Sequence, residues 1–423
     1  MAGTSLALCA HGGPLADRCA ALAGLDRRLF ADAGATHQLV AEVRALLEER
    51  KPACVILPEP DAEHEGERAL AMAAAAALAR LPETEARLGD PDAPPQSSHQ
   101  LHELCQARAR ARAERLGVAR ASAVLSSFNK CRDLAANLEA IRAQTLPFEA
   151  VVVVDNSSHD GSSELVRRDF PEVLLVVMPH SQYGACETFN IGFASARSAL
   201  VAILDDDIVM PPAWLERSTA RLAAEPASTA IVSTQVVEPG MPESYRLSKT
   251  VNEERYMSTF RGCASLARHA AIAKAGYYDE RLFIYGNERD LTCRLLNLGF
   301  RVLQYPGVSV FHKTPFGIKL GKRSLYYHAR NAFLSMLKYA PAAELIRLPF
   351  LALFQVLLRG EKKEAEGSVR DAVGTIGIGR SVRETPGAWW VLVKATASIL
   401  YNLPYCWKHR QPCTHEDFEL PLQ

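Results

Sequence analysis

Three adjacent carboxylates, Asp205, Asp206 and Asp207, follow directly on the apolar run Ala199–Leu204. Such a run is typical of a strand buried on both faces, and open α/β sheets bind ligands at the carboxyl ends of these strands. Three like charges repel one another and resist desolvation, so they need a cation or strong hydrogen-bond donors. Hard oxygen ligands suit Mg²⁺ or Mn²⁺, which usually bridge carboxylates to substrate phosphates. The alternative is a solvated acidic turn.

A second acid, Asp155, stands at the end of another apolar run, Val151–Val154, and precedes a polar turn that contains Gly161. An acid in this position can accept hydrogen bonds from a base or a ribose, while the amides of the turn and of the following helix favour an anion. The same residues also simply make turns and helix caps. Ser127, in the segment Ser126–Lys130 that closes an earlier strand, is a weak signal by itself.

The elements that position these acids alternate between short apolar runs and helical patterns. This alternation predicts an α/β fold with a doubly wound, mixed and largely parallel sheet covered by helices. The predicted strands are Ser122–Asn129, Ala150–Val154, Val173–Met178 and Leu200–Leu204, and the predicted helices between them are Leu134–Gln144, Ser162–Asp169 and Thr188–Ala196.

The composition narrows the class of protein. Lys and Arg together number 48, as do Asp and Glu, so the chain lacks the basic surplus of a nucleic-acid binder. Its ten cysteines form no CxxC pair, which favours reduced thiols in the cytoplasm. The N-terminus is unlike a signal peptide, and no stretch reaches about 18 apolar residues, so we expect no membrane-spanning helix.

A length of 423 residues predicts two to three domains. We expect a small α/β unit over residues 1–85, a linker and an exposed helix over 86–118, an α/β domain over 119–323 and a helical region over 324–423. The apolar stretches Leu345–Leu358 and Trp389–Tyr401 of the last region are each interrupted by polar residues or Pro. They either pack on their own domain or lie at a membrane interface, where Trp, Tyr and Lys are favoured.

An ordered series of motifs within residues 120–335 resembles the family 2 glycosyltransferases, which have the GT-A fold. Each fragment alone is a weak indication of the family, but the order of the fragments along the chain is specific to it. In chain order they are Ser126–Asn129 before a helix that ends at Gln144, Val153–Ser162, Asn190–Gly192, Leu204–Asp207, Arg261–Arg268, Gly276–Phe283, Glu288–Arg294, Gly299–Arg301 and Pro306–His312.

The resemblance implies roles for the acids. Asp155 would contact the nucleobase and ribose of a nucleotide-sugar donor, with Ser127 nearby. Asp205 and Asp207 would form the DxD pair, in which Asp207 holds a divalent ion, Mn²⁺ or Mg²⁺, that bridges the diphosphate, and Asp206 would assist at the sugar or ribose. His312 falls where several members of the family have a third metal ligand, although a single His after a strand is often structural.

The assignment of the catalytic base is less direct. The family typically has the motif Glu-Asp-x-Asp-Leu-x-x-Arg, whereas this chain has the differing segment Asn287–Arg294 at that place. Alignment on the Asp-Leu-x-x-Arg half places Glu288 at the base position. Asp290 competes for that role, although it also has the spacing to pair with Arg294 one helical turn away. By a further resemblance to rhamnosyl- and galactofuranosyl-transferring relatives, Arg330 would clamp diphosphate oxygens. The alternative for Arg330 is packing at a helix start.

Residues 18–81 resemble part of an LmbE-like de-N-acetylase, a zinc-dependent family. The matching pieces include the strand Val55–Pro58 and the segment Asp61–Ala69. Only His64 matches a zinc ligand of that family, and the early His-Pro-Asp-Asp-Glu motif is absent. Since catalytic zinc takes about three protein ligands, we expect a degenerate module that serves packing, oligomerisation or acceptor docking.

These observations predict a metal-dependent inverting glycosyltransferase that moves a hexosyl or deoxyhexosyl group from a nucleotide sugar to a glycan or lipid-linked acceptor in cell-surface polysaccharide biosynthesis. We expect it in the cytoplasm, with peripheral contact at the inner face of the membrane and a homo-oligomer both left open. A catalytically decayed glycan-binding or scaffold protein is the first alternative. A sugar nucleotidyltransferase is the second, and it is disfavoured because Arg261–Gly262 and Glu288–Arg294 follow the glycosyltransferase order.

Overall fold

Two β-sheets organise the chain. The computed structural model describes residues 5–10, 26–30, 36–79, 81, 84–90, 93–317, 319–353 and 378–419. Seven of the twelve strand pairings in these residues are parallel and five are antiparallel. The predicted α/β class with a mixed, largely parallel sheet is therefore confirmed.

The smaller, N-terminal sheet has five strands in the order β2-β1-β3-β4-β5. Its strands are β1 (Ser5–Ala10), β2 (Asp26–Phe30), β3 (Cys54–Leu57), β4 (Glu85–Leu88) and β5 (Gln96–Ser97). Helices α1 (Thr36–Arg50), α2 (Glu65–Leu78) and α3 (Ser98–Arg115) belong to the same unit. Part of the segment that resembles a de-N-acetylase, Cys19–Gly24, lies outside the described residues, and that resemblance stays a prediction.

Residues 86–118 differ from the predicted linker and exposed helix. Strands β4 and β5 extend the N-terminal sheet, and α3 buries Leu101, Cys105 and Ala109 against α2. The alternation of Arg and Ala in the sequence hides this pattern. The buried positions are four residues apart, and two of the three are occupied by the small residues Cys105 and Ala109. The segment therefore joins the N-terminal unit as a structural element.

The larger sheet carries the acidic strand ends. Its order is β10-β14-β11-β13-β9-β6-β7-β8, with β12 paired to β14. The strands are β6 (Ala121–Ser127), β7 (Ala150–Asp155), β8 (Leu174–Val177), β9 (Leu200–Asp205), β10 (Ile208–Val209), β11 (Thr229–Val237), β12 (Arg255–Tyr256), β13 (Ala264–Arg268) and β14 (Arg301–His312).

Strand register brings four of the predicted site residues to one end of the sheet. In the parallel half of the sheet, Ser127 of β6 pairs with Asp155 of β7, and Ser126 pairs with Asp205 of β9. In the antiparallel half, Ile208 of β10 pairs with His312 at the end of β14. Residues that are distant in sequence thus meet at the carboxyl ends of the parallel strands, as expected for an open α/β sheet.

Both faces of the larger sheet are covered, which explains the uninterrupted apolar runs of its central strands. Ala202 and Leu204 of β9 pack in one cluster with Trp214, whereas Val201 and Ile203 pack in the other with Phe193. The helices of this region are α4 (Cys131–Arg142), α5 (Ser162–Asp169), α6 (Ala185–Ser195), α7 (Trp214–Ala223), α8 (Glu243–Arg246), α9 (Lys249–Asn252), α10 (His269–Lys274) and α11 (Asn287–Asn297), with a 3₁₀ turn at Glu280–Leu282.

A buried ion cluster fastens the N-terminal unit to the larger domain. Glu216 of α7 accepts hydrogen bonds from Arg68 at 2.9 Å, Arg112 at 2.8 Å and Thr145 at 2.7 Å. The same interface includes a hydrogen bond of 2.7 Å from the Thr36 hydroxyl to the carbonyl of Met210. Because Met210 follows β10 closely, the N-terminal unit supports the region just beyond the three acids.

The C-terminal region is helical, as predicted, in the part that the structure describes. It comprises α12 (Lys322–Tyr339), α13 (Ala342–Leu353), α14 (Ile378–Glu384) and α15 (Ala388–Lys408). Helix α15 packs along α12, which in turn follows the end of β14. Within the described residues, no helix is both long enough and apolar enough to cross a bilayer.

Helix α6 approaches the sheet most closely at Gly192, where an added Cβ would lie 2.4 Å from Cγ1 of Val124. We expect Gly192→Ala to lower the free energy of unfolding by about 1–3 kcal/mol, because the stiff, buried Val124 cannot rotate away. Denaturant unfolding measures this loss. The double variant Gly192→Ala/Val124→Ala should lose less than the sum of the two single variants, and strict additivity would contradict the predicted clash.

Candidate active site

A tight turn brings two of the three acids face to face with His312. Strand β9 ends at Asp205, and the chain reverses over Asp206 and Asp207 into β10, which pairs antiparallel with the end of β14. Ligand atoms of Asp205, Asp207 and His312 all lie within 4.8 Å of one another. His312 Nε2 is 3.2 Å from Asp207 Oδ1 and 3.5 Å from Asp205 Oδ2.

The opposite nitrogen of His312 is held by Glu238. The Nδ1 atom lies 2.9 Å from Oε1 of Glu238, just after the end of β11. Burial alone would lower the pKa of His312, but its close contacts with the carboxylates of Asp207 and Glu238 raise the pKa to about 10. A carboxylate on one imidazole nitrogen orients the ring and increases the basicity of the other nitrogen, an arrangement common behind metal-binding histidines.

Two further groups bind Asp207. Lys130 Nζ donates to its Oδ2 at 2.7 Å, and the hydroxyl of Thr314 donates to the same oxygen at 3.1 Å. Burial would raise the pKa of Asp207, but the contacts with His312 and Lys130 outweigh it and hold the pKa well below its usual range. This carboxylate is therefore ionised at neutral pH.

The net pKa shifts of Asp205 and Asp206 are opposite to that of Asp207, because burial prevails at these two carboxylates. Burial raises the pKa of Asp205 to about 6, an effect that the neighbouring carboxylates of Asp206 and Asp207 increase and that His312 only partly offsets. Burial also raises the pKa of Asp206, although Lys130 lies 3.3 Å from its Oδ1 atom. The three adjacent acids are thus electrostatically unequal.

The residues around Asp207 fit a divalent cation. Asp207 Oδ1 is buried and makes no hydrogen bond of good geometry, so one strong acceptor is directed at the space shared with Asp205 and His312. Two carboxylate oxygens and an imidazole nitrogen suit Mn²⁺ or Mg²⁺. Within the described residues, this is the one cluster of three or more His, Cys, Asp or Glu side chains with such spacing.

Asp206 turns away from that cluster toward the end of β6. Its Oδ2 atom accepts from the backbone amide of Phe128 at 3.4 Å, and the hydroxyl of the buried Ser127 adjoins it. The structure therefore brings Ser127 and Asp206 together, beside the pair Asp205 and Asp207.

Asp155 is buried and organises the turn that follows it. Its two carboxylate oxygens accept from the hydroxyls of Ser158 and Ser163, each at 2.5 Å. Backbone N–H of Ser158 adds weaker contacts at 3.3 Å. The carboxylate is therefore rigidly held at the strand end next to Ser127, and its structural partners all come from its own turn.

Glu288 lies at the first turn of α11, after Gly286 in the left-handed conformation with φ of 75°. Its Oε1 atom accepts from the amide of Asn287 at 2.9 Å. An added Cβ on Gly262 would lie 2.3 Å from the same oxygen, so only glycine permits this close approach. Burial raises the pKa of Glu288 to about 7, and the negative charge of Asp205 adds to the effect.

Asp290, the competing candidate, is fully buried in an ion cluster. It binds Arg294 Nε at 3.0 Å and the hydroxyl of Tyr339 at 3.0 Å, and it also binds the ammonium group of Lys338. Burial would raise the pKa of Asp290, but Lys338 and Arg294 hold it below its usual range. This environment is that of a structural ion pair on the inner side of α11.

Arg330 lies between two helices, apart from the acidic cluster. Its guanidinium donates to Ser398 of α15 at 2.9 Å and to Oδ1 of Asn331 at 2.7 Å. Asn331 in turn donates to the carbonyls of Leu282, Ile284 and Tyr285, which immediately precede α11. Through these contacts Arg330 supports the loop that leads to Glu288.

Four contributors to the site had no assignment from the sequence: Lys130, Glu238, Thr314 and Gly262. Lys130 follows the end of β6. Its contact with the acids could have been predicted from the position of β6 next to β9 in the expected sheet. Glu238 and Thr314 follow the ends of β11 and β14, two strands distant in sequence that become neighbours only through their parallel pairing. Local sequence carries no signal for them.

Comparison with known proteins agrees with the sequence motifs. Residues 122–282 match the model for glycosyl transferase family 2. The chain is 30% identical over 161 residues to an undecaprenyl-phosphate 4-deoxy-4-formamido-L-arabinose transferase of Aeromonas hydrophila, a match that covers 36% of this chain and 43% of that protein. It is 29% identical over 106 residues to the glycosyltransferase AglE of Haloferax volcanii, which covers 24% of this chain and 35% of AglE. The chain thus spans less than half the length of these relatives.

Solved structures with partial similarity include GalNAc-T7 with UDP, GalNAc and Mn²⁺, at 14% identity and a TM-score of 0.44, over 68% of this chain and 58% of that one. A mannosyltransferase from Pyrobaculum calidifontis in complex with GDP-Man and Mn²⁺ has 16% identity and a TM-score of 0.41, over 72% of this chain and 85% of that one. The match to the family model over residues 122–282 agrees with the glycosyltransferase motifs in that part of the sequence.

We expect Glu238→Gln to weaken Mn²⁺ binding about 10- to 100-fold, because the neutral amide no longer orients and polarises His312. Titration followed by electron paramagnetic resonance of free Mn²⁺ measures the affinity. Glu243→Gln is the matched control, since the Glu243 side chain is 77% exposed and lies outside the cluster. Unchanged Mn²⁺ affinity in Glu238→Gln would contradict the role of Glu238 behind a metal ligand.

Proposed function

We propose that this protein is a metal-dependent, inverting glycosyltransferase of GT-A type that transfers a hexosyl or deoxyhexosyl group from a nucleotide sugar. The observation that carries the proposal is the convergence of Asp205, Asp207 and His312 at one end of the sheet, with Glu288 close enough to feel the charge of Asp205. The cluster of Asp205, Asp207 and His312 suits a cation and a diphosphate. The Glu288 carboxylate suits proton transfer.

On the donor side, Asp207, Asp205 and His312 hold the divalent ion, which would act as a Lewis acid toward the leaving diphosphate. Lys130 lies 2.7 Å from Asp207, so it adds positive charge on the side of the cluster where a diphosphate would approach. Asp155 and Ser127, side by side in register, receive the nucleoside, and Asp206 assists at the sugar or ribose.

Glu288 is the general base in this proposal. Its ionised carboxylate takes the proton of an acceptor hydroxyl while that oxygen forms a bond to the anomeric carbon and the carbon–oxygen bond to the diphosphate breaks on the opposite face. The configuration at the anomeric carbon inverts as a result. A pKa of about 7 supports the assignment, because the group then accepts a proton readily and is still about half ionised at neutral pH.

The acceptor side of the proposal is a glycan or lipid-linked molecule of the cell surface, made in the cytoplasm. The A. hydrophila relative is named for transfer to or from undecaprenyl phosphate, which is a lipid-linked carrier. Eight cysteines within the described residues, from Cys54 to Cys413 in chain order, are free thiols, in keeping with a reducing compartment. Arg330 contributes by positioning the loop before Glu288 through Asn331.

A panel of nucleotide sugars with Mn²⁺ tests donor binding. We expect at least one donor to raise the thermal unfolding midpoint and to be slowly hydrolysed, and Asp207→Ala to abolish both effects, since this residue would hold the ion. Glu243→Ala is a suitable control, because the Glu243 side chain is 77% exposed and lies outside the metal cluster. A protein that responds to no nucleotide sugar would instead be a decayed scaffold.

The pH dependence of transfer tests the base. At saturating Mn²⁺ and donor, we expect the rate to rise about tenfold per pH unit below a midpoint near 7 and to level off above it, because Glu288 must lose its proton before it can accept another. Glu288→Gln should keep donor binding, lose about 100-fold or more in rate, and lose this pH step.

Asp290→Asn is the comparison variant for that experiment. It should unfold more easily, since Lys338 and Arg294 would face a buried neutral group, and its residual activity should keep the midpoint near 7. If Asp290→Asn removes the pH step and Glu288→Gln retains it, then Asp290 is the base.

A further inference from the structure

Helix α15 carries an outward face made of large apolar side chains. Four aromatic residues on it are strongly exposed: Trp389 by 67%, Trp390 by 65%, Tyr401 by 82% and Trp407 by 77%. Val393, Leu400 and Leu403 are exposed on the same helix. Since the helix has 21 residues, this surface extends for about 30 Å. Exposed apolar patches of such extent mark sites of interaction.

The inward face of α15 accounts for its folding. Ala388, Val391, Ala395, Asn402 and Cys406 are buried, and their spacing of three, four, seven and four residues forms one stripe toward α12. In a surface helix the opposite stripe is normally polar. Here it is aromatic and aliphatic, so packing within the described chain leaves it uncovered.

The charges of α15 are all positive. Lys394 and Lys408 are the ionised residues of the helix, and no Asp or Glu occurs in it. Lys394 lies over the ring of Trp390, with its ammonium group 5.9 Å from the ring centroid. The acids that follow, Glu416 and Asp417, are paired with Arg301. The outward face therefore offers an aromatic surface with positive charge and no acidic partner.

We propose that this face of α15 docks on the surface of a membrane that contains anionic lipids. Trp and Tyr prefer the level of the lipid headgroups, where one part of the ring is apolar and another is hydrated. Lys side chains extend from such a surface to the phosphates of an anionic leaflet, which attract them. A second copy of the chain is a poorer occupant, because pairing two such faces brings lysines together without acids to neutralise them.

Docking through α15 would fix the orientation of the site relative to the lipid surface. The hydroxyl of Tyr405 donates to Asp279 at 3.0 Å, and Lys338 bridges Asp279 at 2.8 Å to the buried Asp290 of α11, the helix that begins beside Glu288. At the other end of α15, Gly387 lies beside Lys322, shortly after His312 in the chain. The outward face of α15, Glu288 and the cluster around His312 thus belong to one packed unit.

Tryptophan fluorescence tests the proposal directly, because three of the four tryptophans are on α15 and the fourth, Trp214, is fully buried. The full chain is mixed with vesicles of phosphatidylcholine alone or with 30% phosphatidylglycerol. With the anionic vesicles we expect a blue shift of the emission and sedimentation of the protein with the vesicles, both reduced by high salt. With phosphatidylcholine alone, binding should be at least tenfold weaker.

The variant Leu400→Glu/Tyr401→Glu should abolish sedimentation and keep the unfolding midpoint, since both side chains are exposed by 60% or more. Leu116→Glu/Leu247→Glu is the matched control, because these residues are exposed by 60% and 66% elsewhere, and it should bind as the unchanged protein does. An equal loss of sedimentation in both variants would overturn the proposal, since the loss would then result from the change in net charge and not from the face of α15.

Two other results would also overturn it: no vesicle binding by the unchanged protein, or a dimer that Leu400→Glu/Tyr401→Glu converts to monomers. The second result would make this face a contact between copies of the chain. Vesicle binding does not depend on the proposed transferase activity. A protein that binds anionic vesicles but no nucleotide sugar would keep this inference and lose the proposed function.

Discussion

The mutual repulsion of three carboxylates at the end of a buried strand is the constraint on which the rest of the site depends. Burial limits how far water can screen Asp206 and Asp207, and the less buried Asp205 lies next to both, so each carboxylate needs its own compensation. The fold supplies it from three directions, with Lys130 from the end of β6, His312 from β14 and the amide of Phe128. Because these partners are shared unequally, Asp207 stays ionised while the pKa of Asp205 rises.

The same balance between burial and neighbouring charge distinguishes the two acids of α11. Glu288 is partly buried and Asp290 is fully buried, but only Asp290 has cations against it, in Lys338 and Arg294. Burial without a cation raises the pKa of Glu288 toward neutrality, whereas Asp290 is held ionised as part of the packing between α11 and α12. One acid is thereby available for proton transfer, and the other holds the first in place.

Positioning of the site extends to the chain's outer elements. Glu216 ties the N-terminal unit to the helix that follows β10, and Asn331 ties α12 to the loop before Glu288. Helix α15 completes this support through Tyr405 while its other face is left apolar. Elements that contribute no candidate catalytic atom therefore still determine where the acids point.

Four strands of the larger sheet and the acids at the ends of two of them were readable from the sequence, because apolar runs bounded by acids and turns are local patterns. Asp205 and Asp207 were proposed as site residues from this pattern, and His312 and Glu288 from the ordered motifs of the family resemblance. Tertiary structure alone decided which acids are charged and which residues surround them, since Lys130 and Glu238 meet the acids only through strand pairing. It also decided that α3 has a buried stripe and that α15 has an uncovered one. A helix that is apolar all round does not encode which face its neighbours will cover, and that depends on how the whole chain packs.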